Sequence, residues 1–194
     1  MNTPTPDDLP GKDRPATLAR VTSPWTAREK WGRALWYVIE ATLFRLSPRP
    51  CYRWRNWVLR RFGARVAPSA RIRSSVSIEV PWHLTVGPEA IIGDRVILYC
   101  LGSVSVGARV TVSQYCHLCA GTHDYTRPDF PLLRPPISIG DDVWLAADVF
   151  VGPGVTIGPG VVVGARSSVF SDLPPWKVCV GNPAAPVKDR EFRA

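Results

Sequence analysis

The sequence predicts a mainly β protein, a parallel β-helix preceded by a helical segment. Three observations carry this. From Ile139 the aliphatic residues recur every six positions, at Ile139, Leu145, Val151, Ile157, Val163 and Val169. Small residues follow most of them, at Gly140, Ala146, Gly152, Gly158 and Gly164. A second branched or small residue stands four positions after each of the first five, at Val143, Val149, Val155, Val161 and Ser167. A helix repeats at about 3.6 residues and a strand at about 2, so a period of six fits neither. It fits a solenoid in which each six residues make one side of a coil. The aliphatic side chain points inward, and the small residue after it suits a corner where a Cβ would clash. Valine-rich strands of a sandwich would not hold one spacing through six hits.

Residues 1–24 come first in chain order. They are polar, with Pro4, Pro6, Pro10, Pro15 and Pro24, and are expected to form a disordered tail. They lack the apolar core of a secretory signal. Residues 25–63 change texture. Apolar residues at 31, 35, 38, 39, 43 and 46 have helical spacing, and Pro48 and Pro50 stop that helix. CYRWRNWVLRRFG reads as a second short helix ending at Gly63. Trp31, Leu35, Val38 and Phe44 are expected to form one face that covers the first coil near Val66 and Ile72. The β-helix itself is expected over 64–173. Val66, Ile72, Ile78 and Leu84 keep the six-residue step, as do Val86, Ile92, Leu98 and Val104, and then Val106, Val112 and Leu118. The phase slips by two residues after 84 and after 104, so coils of eighteen residues take a two-residue insertion at one corner. The largest break lies between Leu118 and Ile139 and holds a loop over 124–136. Residues 174–194 read as a C-terminal extension.

Composition narrows the function. The 194 residues carry a formal net charge of +8, which draws anions such as a phosphorylated cofactor, an anionic lipid or a nucleic acid. Nucleic-acid binding has only this charge behind it and is not expected. Five cysteines without framework spacing argue for a reducing, cytoplasmic setting. The most apolar helical stretch, Ala34 to Leu46, is far shorter than the ~20 residues that span a bilayer.

The chemistry concentrates at CAGTHDYTRPDFPLL, residues 119–133, where His123 precedes the loop. A loop thrown from a rigid stack is where function tends to sit. The repeat, AGTHDY with its loop, ISIGDDVWLAADVFVGPGVTIGPGVVVGARSSV and DLPPWKVCVGNPAAPVK together resemble the hexapeptide-repeat acyltransferases, from Val66 to about Arg190. The order of parts, with a Trp- and Arg-rich helical N-terminus, is most similar to the colanic-acid (exopolysaccharide) biosynthesis acetyltransferases. The resemblance implies a left-handed β-helix and a likeness in assembly, a homotrimer with sites between neighbouring prisms. It implies acetyl transfer from acetyl-CoA to a sugar hydroxyl in polysaccharide or glycolipid biosynthesis, without a metal.

The site residues follow from the same resemblance. His123 takes the position of the family's catalytic histidine. Neutral imidazole is a suitable base for a poorly nucleophilic hydroxyl. Trp144 is expected to line the pantetheine channel. Ala147 stands where relatives often carry a serine, so an oxyanion contact there falls to backbone N–H or a neighbouring group. Gly164, Ala165, Arg166, Lys177 and Lys188 lie where the C-terminal coils meet the nucleotide end of CoA. Tyr99, Cys100 and Asp124 are the expected acceptor contacts, with Cys100 replacing the asparagine of a common LYNLG motif. Asp124 could instead orient His123 or cap the loop.

Two rival readings remain. Cys116, His117, Cys119 and His123 have zinc-like spacing, but the repeat points Cys116 and Cys119 in different directions. Trp25, Trp31, Trp36, Trp54 and Trp57 among many arginines suit either a cap on the open coil or peripheral contact with a membrane. A catalytically weak scaffold or binding protein at the membrane surface is the alternative to an enzyme.

Overall fold

The computed structural model describes residues 25–192. It is a three-sided prism of parallel strands. The first side stacks Arg65–Val66, Leu84–Val86, Val104–Val106, Ile137–Ile139 and Thr156–Ile157. The second stacks Arg71–Ile72, Ile91–Ile92, Thr111–Val112, Trp144–Leu145, Val162–Val163 and Lys177–Gly181, and ends on Ala184–Asp189. The third stacks Ser77–Ile78, Ile97–Tyr99, His117–Cys119, Phe150–Val151 and Ser168–Val169.

The register is the one the period implies. Val66 pairs with Val86, Val86 with Val106, Val106 with Ile139 and Ile139 with Ile157. All of these aliphatics are buried in one continuous core. The small residues after them are required by close approach between coils. A Cβ on Gly87 would come within 2.6 Å of the Gly107 backbone, and one on Gly140 within 2.7 Å of Pro159 N. The two-residue slips also have a place. Leu84 and Val86 both point inward from one strand, as do Val104 and Val106. The extra residues therefore widen one corner, between the third and first sides. The loop leaves from this same corner one coil later. It is narrower than expected, because Thr122–His123 pairs antiparallel with Leu132–Leu133. The solenoid also runs past residue 173. Leu173 bridges to Ile157, and Lys177–Gly181 joins the second side beside Val162–Val163.

Two helices close the first coil. Helix α1 is Ala27–Ile39, started by a Thr26–Glu29 capping box and continued by a π-turn over Glu40–Phe44. Helix α2 is Tyr52–Arg61. The first strand on every side has an edge with no further coil to pair with, and an unpaired edge needs hydrogen-bond partners. The helices supply them through side chains. On the third side Trp36 Nε1 donates to Ile78 O at 2.6 Å, and Glu40 accepts from Ile78 N at 2.8 Å. On the second side Arg55 Nε donates to Ile72 O at 2.7 Å and Asn56 to Ala70 O at 2.8 Å. On the first side Arg60 donates to Val66 O at 2.9 Å. Burial raises the Glu40 pKa, against the pull of the Ile78 N–H.

This corrects the expected covering face. Trp36 and Phe44 are buried, whereas Trp31, Leu35 and Val38 face solvent at 77, 57 and 56% exposure. Only Phe44 of the four expected residues covers the coil. The tail expected over residues 1–24 lies outside the described residues.

Candidate active site

The widened corner holds a pocket of about 280 Å³, lined by Trp25, Arg33, Tyr99, Leu101, His123, Phe130 and Leu132. Four separate segments build it. Tyr99 and Leu101 come from the second coil, and His123 from the strand that opens the loop. Phe130 and Leu132 come from the loop's return, while Trp25 and Arg33 come from α1 and its approach. Gly102 lets the return segment settle on the corner, since a Cβ there would lie 2.5 Å from Arg134 O.

His123 is held on two sides. Its ring stacks on Phe130 with centroids 4.5 Å apart and planes 9° off parallel. Its Nδ1 lies 2.9 Å from Phe130 O. A carbonyl only accepts, so this bond places the proton on Nδ1 and leaves the Nε2 lone pair unengaged by it. Phe130 adopts φ 44°, in the left-handed region that a bulky residue seldom enters. The turn is fixed by Phe130 N donating to Arg127 O at 3.0 Å and Asp124 N to Pro131 O at 3.0 Å.

The other expected acceptor contacts divide. Tyr99 is on the pocket wall, with its phenol pKa raised by burial. Asp124 caps the loop. Its Oδ1 accepts from Thr126 N at 3.0 Å and from Thr126 Oγ1 at 2.5 Å, and these bonds hold its carboxyl below the usual range. The bond that orients His123 comes from the Phe130 carbonyl. Cys100 is a correction. Its side chain is wholly buried, with Sγ 3.2 Å from both Val80 O and Leu98 O, and burial pushes the thiol up to about 12. The wider corner keeps Leu98 and Cys100 both turned inward, so the thiol cannot touch a molecule in the pocket. Replacing Cys100 with alanine should leave KM for every acceptor unchanged. It should cost about 1 kcal/mol of stability, the worth of one net hydrogen bond. A changed acceptor KM at unchanged stability would return Cys100 to the site.

Sequence reasoning missed Trp25, Arg33, Leu101, Phe130 and Leu132 as pocket residues. Arg33 is ion-paired with Glu79. The Arg33 and Arg134 guanidiniums lie 4.4 and 3.9 Å from the Trp25 ring centroid. Only the position of Phe130 in a loop that begins at His123 could have signalled it.

The expected CoA residues stand elsewhere on the prism. Trp144 is on the second side, half exposed, with its indole N–H donating to Ser113 Oγ at 3.1 Å. Ala147 O accepts from Arg166 N at 2.9 Å. Gly164 packs under Val180, whose Cγ1 would lie 2.6 Å from a Cβ there, so a side chain at 164 requires Val180 to shift. Ala165 and Arg166 are exposed at the next corner. Lys177 is ion-paired with its hairpin neighbour Asp189. Lys188 lines a C-terminal cleft of about 520 Å³ with Arg190 and Phe192. The chain thus brings His123 and Tyr99 together, and places Trp144 and the C-terminal cations on another side. Cys116 points into the prism, where Sγ lies 3.0 Å from Ala146 O, while Cys119 Sγ lies 3.4 Å from Gly121 O.

A stacked three-sided coil with a histidine loop at one corner is the architecture expected of a β-helix acyltransferase. Comparison with known proteins agrees. The family model "Bacterial transferase hexapeptide (six repeats)" matches residues 136–171. The chain is 51% identical over 156 residues to "Putative colanic acid biosynthesis acetyltransferase WcaF" of Escherichia coli K12, covering 80% of this chain and 86% of that one. Among solved structures, a maltose O-acetyltransferase from Clostridium difficile 630 superposes with a TM-score of 0.75 at 26% identity, covering 86% of this chain and 90% of that one. A hexapeptide-repeat acetyltransferase from Vibrio cholerae O1 biovar eltor, complexed with acetyl-CoA, superposes at 0.76 with 24% identity, over 86% and 91% of the two chains. The chain belongs to the hexapeptide-repeat acyltransferases, left-handed parallel β-helix enzymes, and within them to the group of the colanic acid biosynthesis acetyltransferases.

Proposed function

We propose that this acetyltransferase uses acetyl-CoA to acetylate a sugar hydroxyl in polysaccharide or glycolipid biosynthesis, with His123 as general base. The carrying observation is the His123 ring, stacked on Phe130 and tied through Nδ1 to a carbonyl, at the wall of the corner pocket. In that tautomer Nε2 takes the hydroxyl proton as the sugar oxygen attacks, and returns it to the departing thiolate. Acetyl-CoA supplies the thioester carbonyl. Tyr99, Leu101 and Arg33 shape the acceptor side of the pocket.

The C-terminal coils fit an anionic cosubstrate, with Arg166 and Lys188 exposed there and Trp144 half exposed beside Ser113. Lys177 and Arg166 contribute less than Lys188, because Asp189 and Asp148 stand beside them. The Vibrio cholerae relative was solved with acetyl-CoA, and the Escherichia coli relative is named for polysaccharide biosynthesis. His123 and Trp144 on different sides of one prism support a homotrimer whose sites combine neighbouring prisms. Tyr99, His117, Phe150 and Phe170 form an aromatic ladder on the outward third side, at successive centroid distances of 6.3, 5.4 and 5.6 Å. Such a face suits a subunit contact. Five unpaired cysteines support a cytoplasmic setting.

The test is CoA-thiol release from acetyl-CoA across a panel of sugar acceptors. Release should depend on the acceptor, and the product should be an ester that hydroxylamine cleaves. A hydroxylamine-stable product would make the enzyme an N-acetyltransferase, and no release with any sugar would remove the carbohydrate reading.

A further inference from the structure

The outer surface of the two helices serves neither the cap nor the pocket. Trp31, Leu35 and Val38 line one stripe of α1 at 77, 57 and 56% exposure, and Leu46, in the turn after the π-turn, is 78% exposed. The capping residues Trp36, Glu40 and Phe44 occupy the opposite stripe. Trp54 and Trp57 stack at 5.2 Å on the outside of α2. The Trp54 indole donates to Leu43 O at 3.0 Å, which ties α2 to the π-turn that continues α1. Between them runs a groove of about 550 Å³ lined by Leu43, Leu46, Pro48, Cys51 and Trp54. Exposed apolar side chains grouped around such a groove make a candidate contact site.

The charge around it selects the partner. Residues 25–63 hold nine Lys or Arg against two carboxylates, Glu29 and Glu40. Both carboxylates are occupied, Glu29 in the capping box with Thr26 and Glu40 on Ile78 N. Arg33, Arg55 and Arg60 turn toward the prism. Arg28, Arg45, Arg53 and Arg61 stay exposed beside the apolar residues, with Arg61 5.6 Å from the Trp57 ring centroid. Two copies of this face would bring like charges together. An anionic bilayer supplies opposite charge at its surface and an apolar layer beneath it. Among the described residues no helix is long and apolar enough to cross a membrane. The geometry therefore points to contact in the interfacial plane.

We propose that the outer face of residues 25–63 docks the enzyme on an anionic phospholipid surface while the inner face caps the first coil. One segment does both because its faces are opposed.

The test is co-sedimentation of the full chain with vesicles, a readout that needs no catalysis. It should bind vesicles containing phosphatidylglycerol and not pure phosphatidylcholine. Binding should weaken between 0.1 and 1 M salt as the screening length falls from ~10 to ~3 Å. The double substitution Leu46→Glu with Arg53→Glu should lower binding by at least about tenfold, since each cation near the surface contributes separately. Its urea midpoint, its mass in solution and its thiol release with a soluble sugar should match the parent. Failure of the parent to bind anionic vesicles, or equal binding by the double variant, overturns the proposal. A changed mass in the variant also overturns it, and assigns the face to a second copy.

Discussion

His123→Ala should lower kcat by about 10²–10⁴-fold, the range for loss of a general base, with acetyl-CoA binding intact. The geometry makes the expectation specific. The His123 ring packs on the exposed side of the loop against Phe130, so its removal opens no core cavity. The cations expected to meet CoA lie on another side of the prism. Calorimetric titration with CoA should therefore match the parent while thiol release collapses. Asp124→Asn provides the contrast. Asp124 holds Thr126 and does not touch the imidazole, so this change should leave kcat close to the parent value. If Asp124→Asn lost as much activity as His123→Ala, the carboxylate would be the orienting group and the Phe130 carbonyl would not. Parental kcat in His123→Ala would end the base assignment altogether.

How far the sequence shows these features depends on what kind of force fixes each one. The six-residue period was legible because burial is periodic. Val66, Val86, Val106, Ile139 and Ile157 must each face inward, and each pairs with the next. The loop was legible as the place where that period stops. The covering face of α1 was not, and the reason is chemical. An apolar stripe is the usual guide to a buried face. The end of a β-coil, however, presents carbonyls and N–H groups as well as aliphatic side chains. Its cap must form hydrogen bonds, so the inward face carries, beside the buried Phe44, Val58 and Leu59, the donors and acceptors Trp36, Glu40, Arg55, Asn56 and Arg60. By hydropathy most of these look like surface residues. Cys100 was displaced for a related reason. A motif gives its position in the chain, but the direction of its side chain depends on how many residues the corner holds. Phe130 and Arg33 reach the pocket through tertiary contacts that no period records.

The largest stability effect should come from the cap, at Arg55. Its side chain is wholly buried. Nε donates to Ile72 O at 2.7 Å, Nη1 to Ser47 Oγ at 2.8 Å and Pro48 O at 2.9 Å, and Nη2 to Arg49 O at 2.7 Å. The guanidinium lies over the Tyr52 ring at 4.9 Å. Burial pushes its pKa down, yet a guanidinium remains charged in proteins. The planar fork thus ties the open edge of the second side to the turn between the helices. Arg55→Ala leaves a void in the cap and takes the donor from the buried Ile72 carbonyl, about 1–3 kcal/mol when left unsatisfied, whereas Pro48 O keeps the Cys51 N–H and Arg49 stands at the surface. A loss of at least about 3 kcal/mol is expected, read as a lower urea midpoint at fixed protein concentration. Arg55→Lys should recover only part of it, because a single ammonium cannot reach acceptors spread around a fork. Trp31→Ala, on the outer face of the neighbouring helix, should stay within about 0.5 kcal/mol of the parent. The apolar pattern alone ranks these two sites the other way, with Trp31 in the covering face and Arg55 on the surface. A urea midpoint that fell for Trp31→Ala and held for Arg55→Ala would show that the cap rests on apolar contact and not on hydrogen bonds to the exposed coil edge.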